Sequence, residues 1–156
     1  MNRMALSAAT LLASVSIAAT ASARPMTPED VAKIESIGAI AVSPDGTRIA
    51  YTTISLPDVT EGEDNGGFEQ VLKVATGPDQ ATVYLPEDVS PSGVQFSPDG
   101  SMVSFTWSAE DEDRAVWGVP VGGGTYRKLA AIEDSDVLSY VWAQDGDNIF
   151  LLASAE

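Results

Sequence analysis

The tetrapeptide Ser-Pro-Asp-Gly occurs twice in this chain, as Ser43-Pro44-Asp45-Gly46 and Ser97-Pro98-Asp99-Gly100. A third copy, in "WAQDG", keeps Asp145-Gly146 and has Gln144 in place of the proline. Ser at the first position, Pro with its fixed φ at the second and Gly at the last are the residues a type I turn favours. Each turn lies between segments of period two, the signature of strands. In "AIAVSPDGTRIAYTT" Ile49 and Tyr51 alternate with Ala50 and Thr52. In "GVQFSPDGSMVSFTWS" Val103 and Phe105 take the same places, and in "YVWAQDGDNIFLLAS" Ile149 and Leu151 do. The chain therefore predicts the same hairpin three times.

A second pattern recurs between these hairpins. "EQVLKVATGPDQATVYLP" reads as two strands around Gly77-Pro78-Asp79, and "AVWGVPVGGGTYRKLA" as two strands around Gly122-Gly123-Gly124. Each unit is thus four short strands in a row. The repeat runs 54 residues from Pro44 to Pro98 and 46 from Pro98 to Gln144. That period, with four strands per unit, is the signature of β-propeller blades. The expected fold is all-β: an incomplete propeller of two and a half four-stranded blades, with blade 1 over 39–90, blade 2 over 91–136 and the first hairpin of blade 3 over 137–156. Propellers close with about four to eight blades, so further polypeptide is expected to complete the ring. The strand edge of the last hairpin is open to self-association. Unit one carries "SLPDVTEGEDNGG" after its second strand where unit two carries "SAEDEDR". Insertions at one place in each unit are expected on one face of the disc.

Residues 24–38 form a lead-in. Thr27 is a helix cap, Pro28 suits a first helical turn, and Glu29 and Asp30 place negative charge where free N–H groups point. Val31 and Ile34 share a face and Gly38 is a stop signal, so one short helix is expected. Ahead of it, residues 1–23 read as a secretory signal. Arg3 is followed by an uncharged stretch from Met4 to Ala19, and Ala21-Ser22-Ala23 has the small-x-small cleavage pattern. The stretch is shorter than the roughly 20 apolar residues of a membrane span. A periplasmic or secreted destination follows.

Composition excludes several chemistries. The chain of 156 residues has no His and no Cys. It therefore has no disulfide, no thiolate and no imidazole to relay a proton, and a Ser-His-Asp triad cannot be built within it. Zinc loses both of its favoured ligands, and no cofactor is expected. A net charge of −15 repels nucleic-acid backbones and anionic headgroups, so neither nucleic acid nor membrane is an expected partner.

"MTPEDVAKIESIGAIAVSPDGTRIAYTT" resembles the start of the secreted prolyl oligopeptidase family of serine peptidases, where a Thr-Pro-Glu-Asp helix and a Ser-Pro-Asp-Gly hairpin open an N-terminal propeller. "VWGVPVGGGTYRKLA" is similar to that family's third and fourth blade strands around a Gly-Gly turn. The resemblance spans residues 25–156. Periplasmic propellers of the TolB type share the Ser-Pro-Asp-Gly element, but they resemble a separate α/β domain followed by the propeller. The resemblance implies a propeller that gates peptide access to a C-terminal α/β-hydrolase domain, whose Gly-x-Ser-x-Gly elbow, Asp and His would lie outside this sequence. It transfers no catalytic residue to these positions. The alternatives are a non-enzymatic TolB-like propeller acting as a protein-interaction scaffold, and a free-standing exported fragment.

The remaining candidates are local. Asp58–Asp64 and Glu110–Asp113 offer carboxylates of the kind Ca²⁺ takes, without EF-hand spacing, and read first as solvated loop tips. Trp142 and Trp117 read as core, and Trp107, beside the acidic loop, as the tryptophan with a chance of exposure. Tyr126-Arg127-Lys128 reads as a salt-bridged strand edge. Ser43, Pro44, Asp45, Gly46, Ser97, Pro98, Asp99, Gly100, Asp145 and Gly146 are the structural turns, with no catalytic or metal-binding role.

Overall fold

Among the described residues ten strands follow one another, and each pairs antiparallel with a neighbour in sequence. The computed structural model describes residues 24–27, 30–31, 33–55 and 68–154. Residues 1–23, read above as a secretory signal, and the acidic tract 58–64 lie outside the described residues. Strands β1 (Ser36–Val42), β2 (Ile49–Ser55), β3 (Glu69–Ala75) and β4 (Ala81–Val83) form the first sheet. Strands β5 (Ser92–Phe96), β6 (Met102–Trp107), β7 (Ala115–Pro120) and β8 (Arg127–Ala130) form the second. A hairpin of β9 (Val137–Trp142) and β10 (Ile149–Ala153) forms the third. The all-β repeat, with two complete units and the first hairpin of a third, is as the sequence predicts.

The first strand of every unit carries an irregularity against the second. The register shifts between Ile37 and Ile40, between Ser92 and Gln95, and opposite Leu152–Ala153 in the third unit. A bulge bends its strand and increases the local twist. The repeat thus extends to a feature that the turn motif does not encode.

Alternation along the strands lets the second sheet bury both of its faces. In the second unit Val103 and Phe105, both fully buried, join Ala50, Leu72 and Val74 of the first unit in one cluster. Val116, on the opposite face, packs with Val137 and Tyr140 of the third unit. Two seams, one between each pair of successive units, therefore hold the molecule together. Burial of these aliphatic and aromatic side chains is the main favourable contribution, at roughly 1.5–3 kcal/mol for each large one.

Two expectations about the lead-in are corrected. Gly38 does not end a helix: it lies inside β1, which begins at Ser36, three residues before Ala39. The described helical geometry amounts to one turn, with Asp30 and Val31 N–H groups donating to the Thr27 carbonyl. Gly38 has a different reason to be glycine. A Cβ there would stand 2.6 Å from Thr52 Oγ1, the oxygen that accepts the Ala39 N–H at 2.9 Å. The close approach of the two strands excludes a side chain. Among the described residues, no helix is long and apolar enough to cross a membrane.

Candidate functional site

The three turns were singled out by sequence, and the geometry explains their composition. Gly46 N–H donates to the Ser43 carbonyl at 2.9 Å and Gly100 N–H to that of Ser97 at 2.8 Å. Both glycines have positive φ, 68° and 70°, a region open to Gly at little cost. The serine does more than start the turn. Ser43 Oγ donates to Asp45 Oδ1 at 2.6 Å and accepts the Arg48 N–H at 2.9 Å. Ser97 Oγ repeats both bonds, with Asp99 at 2.5 Å and the Met102 N–H at 3.0 Å. The serine hydroxyl first, and the Thr47 or Ser101 N–H second at 3.0 Å each, hold the Asp45 and Asp99 carboxyls down at about 2. The third turn keeps the Gly146 to Ala143 bond, and Asp145 accepts the Asp147 N–H. Ala143 brings no hydroxyl to it.

The turns also stack along the molecule. Pro44 Cδ lies 3.5 Å from where a side chain on Gly100 would begin, and Pro98 lies 3.9 Å from the same point on Gly146. The proline of each unit therefore covers the glycine of the next. These ten residues are brought together as a structural row, with the carboxylates turned back into their own loops.

Across the seam between the second and third units, Tyr140 Oη and Trp142 Nε1 both donate to Ser104 Oγ, each at 2.8 Å. Gln95 Nε2 donates to the Tyr140 carbonyl at 2.7 Å. Sequence reasoning placed Trp142 in the core but passed over Ser104 and Gln95. The available signal was alignment of the units: Ser104 occupies the place of Ala50 and Phe150, a small hydroxyl in an otherwise apolar position.

At the end of this seam away from the turns lies a cavity of about 250 Å³ lined by Ser92, Gly93, Gln95, Thr106, Arg114, Leu138, Ser139 and Tyr140. Arg114 is the charged residue of that lining. Ser92 and Thr106 hydroxyls bond to each other at 2.9 Å, so the cavity offers hydrogen bonds but no hydroxyl paired with a base. A second hollow of about 310 Å³ holds Asp111, Glu112, Asp113, Glu133 and Asp134 around Lys128. Among the described residues, no three acidic groups converge as a metal site would require.

The remaining candidates fall into place individually. Lys128 pairs with Glu112 and sits 5.2 Å over the Trp117 ring. Tyr126 packs edge-on to Trp107 and Trp117, each at 5.8 Å, while Arg127 turns toward Met102. The Tyr-Arg-Lys run is therefore no common patch. Trp107 is half-buried, as Trp117 and Trp142 are, so exposure does not set it apart.

No protein-family model matches the chain, and no curated protein does. Solved structures do. An acylaminoacyl peptidase of Pyrococcus horikoshii superposes with a TM-score of 0.57 at 17% identity, over 78% of this chain and 18% of that one. TolB from Agrobacterium tumefaciens gives 0.55 at 17% identity, over 78% of this chain and 39% of its own. TolB from Acinetobacter baumannii gives 0.53 at 20%, over 73% and 26%. These neighbours are propeller proteins. The fold is that of a β-propeller. The units are its blades, and this chain spans well under half the length of each of these three neighbours. At such identities the likeness establishes the architecture alone.

Proposed function

We propose that this chain is the opening part of the propeller of an exported serine peptidase, where it gates peptide access to a catalytic α/β-hydrolase domain and is itself non-catalytic. The observation that carries the reading is the passage from the capped lead-in straight into the first blade. Asp30 accepts the Thr27 N–H at 2.8 Å and pairs with Arg24 at 2.6 Å, and β1 begins at Ser36. Thr27 and Asp30, which make these contacts, are the first and last residues of the Thr-Pro-Glu-Asp sequence that resembles the peptidase family. Likeness to an acylaminoacyl peptidase supports the reading, and so does the signal-like pattern of residues 1–23. With no His in the chain, the proton relay of such a peptidase would come from elsewhere.

A second reading, a non-enzymatic propeller that scaffolds other proteins, is favoured by the TolB superpositions, of which one covers 39% of its partner. One experiment separates the two. Native protein carrying this segment is purified from the exported fraction and treated with a fluorophosphonate probe for activated serine. A labelled serine and turnover of peptidyl chromogenic substrates are expected. Absence of label and turnover, with other proteins co-purifying, would establish the scaffold instead.

A further inference from the structure

Three Asp-Gly pairs occur in this chain, and each takes the same place in a blade turn: Asp45-Gly46, Asp99-Gly100 and Asp145-Gly146. Such a pair is chemically reactive. With the carboxyl protonated, the glycine nitrogen can attack the aspartate Cγ, and no Cβ on the glycine shields the approach. Before the ring can close, the carboxyl must leave its hydrogen bonds, give up its charge and rotate toward the next amide. The turn around it therefore sets the rate.

The attacking amide is held alike in all three turns, donating to the carbonyl three residues back at 2.9, 2.8 and 3.0 Å. The carboxylates are held differently. Asp45 accepts Ser43 Oγ at 2.6 Å, Thr47 Oγ1 at 2.8 Å and the Thr47 N–H at 3.0 Å. Asp99 accepts Ser97 Oγ at 2.5 Å and the Ser101 N–H at 3.0 Å. Both serines are buried, and each hydroxyl is fixed by a strand N–H, that of Arg48 or of Met102. Asp145 has no such hydroxyl, because Ala143 stands in the serine's place. Its bonds are longer, 3.1 Å from the Asp147 N–H and 3.3 Å from Asn148 Nδ2. Exposure does not separate the three. Asp99 has a blade on either side and is exposed all the same, so an open carboxylate belongs to this place in the repeat.

We propose that Asp145-Gly146 is a self-modification site, where aspartate converts to isoaspartate while Asp45 and Asp99 are protected by their serines. Gly146 N bonds to Asp145 Cγ, and the carboxyl's hydroxyl leaves with the amide hydrogen as water, giving a succinimide. Water then opens the ring. Opening at Cγ restores aspartate, whereas opening at the Asp145 main-chain carbonyl leaves the chain running through Cγ. Mass is unchanged, and one methylene has entered the backbone of the turn. Gly146 is thereby displaced from Pro98 of the preceding blade, which covers it. The inference rests on the hydrogen bonds of the turns and stands whether or not the peptidase reading does.

The test uses the whole exported protein that carries this chain, checked for folding by far-UV circular dichroism and incubated for weeks at mildly acidic pH. Peptide mapping by mass spectrometry reads isoaspartate at each pair separately. Asn65-Gly66, which reaches isoaspartate by losing its amide, is told apart by its change in mass. In the folded protein Asp145 should convert roughly tenfold or more faster than Asp45 or Asp99, the rate equivalent of one hydrogen bond to a charged group. In urea the three rates should converge, because the turns are gone. Ala143→Ser should slow conversion at Asp145 by a similar factor and leave the other two pairs unchanged. Ser97→Ala should raise conversion at Asp99. Equal rates at the three pairs of the folded protein would overturn the proposal, as would conversion led by Asp45 or Asp99. An unconverted Asp145 after the time in which the urea-unfolded chain converts would do so too. So would a folded Ala143→Ser protein with an unchanged rate at Asp145, since the hydroxyl would then not be the protecting group.

Discussion

Tyr140 donates its phenolic hydrogen to Ser104 Oγ at 2.8 Å across the seam between the second and third blades. The same oxygen accepts Trp142 Nε1 at 2.8 Å, and its own hydrogen points to the Gln95 carbonyl at 3.2 Å. A serine hydroxyl has one donor and two acceptor sites, so Ser104 is fully used. One buried side chain of the second blade thereby orients two aromatic rings of the third.

Removing that oxygen strands two donors at once. Ser104→Ala is expected to cost about 1–3 kcal/mol, whereas Tyr140→Phe, which deletes one donor, is expected to cost about 1 kcal/mol. Urea denaturation of both variants checks the order. Equal costs would mean that Ser104 does not organise the seam.

Burial raises the Tyr140 phenol above its ordinary value, partly opposed by the Ser104 bond. The unfolded chain therefore loses this proton first as pH rises. The contribution is fully present below about pH 10 and fades above it. Thermal midpoints between pH 8 and 11 should fall at the alkaline end (a condition range set by the ~10 of free tyrosine). The fall should be shallower in Tyr140→Phe.

At the acid end the turns respond in the opposite sense. Asp45 and Asp99 are held at about 2 against an ordinary 3.8, so their contribution is present above the ordinary value and lost as pH drops toward 2. The Asp45→Asn, Asp99→Asn double variant should show a flatter decline of thermal midpoint over that interval. Both carboxylates are solvent-exposed, so the effect is read from slope rather than magnitude. An unchanged slope would remove the turns from the acid response.

The third turn lacks the hydroxyl that the other two share. Ala143→Ser restores an acceptor for the Asn148 N–H and a donor to Asp145, by analogy with Ser43 and Ser97. A gain of about 0.5–1.5 kcal/mol is expected, measured by chemical denaturation. A loss would show that the turn has settled into a different geometry around Gln144.

Gly38 and Gly122 make a matched pair. Gly38→Ala drives a Cβ toward Thr52 Oγ1, and its cost should fall in the roughly 1–3 kcal/mol range of overpacked sites. Gly122 has open space around it, so Gly122→Ala should stay within about 0.5 kcal/mol of the parent. Similar values for both would mean that the β1–β2 approach relaxes easily.

Much of the architecture was legible because turns and alternation are local. Pro44, Asp45 and Gly46 fix a hairpin through their own φ angles and hydrogen bonds, and strand period two marks its arms. The lead-in misled for the same reason. Gly38 carries a helix-stop signal locally, yet its position is decided by Thr52, fourteen residues on, across the sheet. Likewise, nothing near Ser104 announces that two rings 36 and 38 residues away will share its oxygen.

The sequence by itself determined the repeat, the strand order within each blade and the lack of any residue for imidazole or thiolate chemistry, since those depend on residue identity and near neighbours. Only the tertiary structure decided which face of each strand is buried. Ile49, Val103 and Ile149 hold one place in the repeat, but Val103 is sealed at 0% exposure while Ile49 stands 44% open. Burial depends on what lies across the seam, and a strand's own residues carry no record of that neighbour.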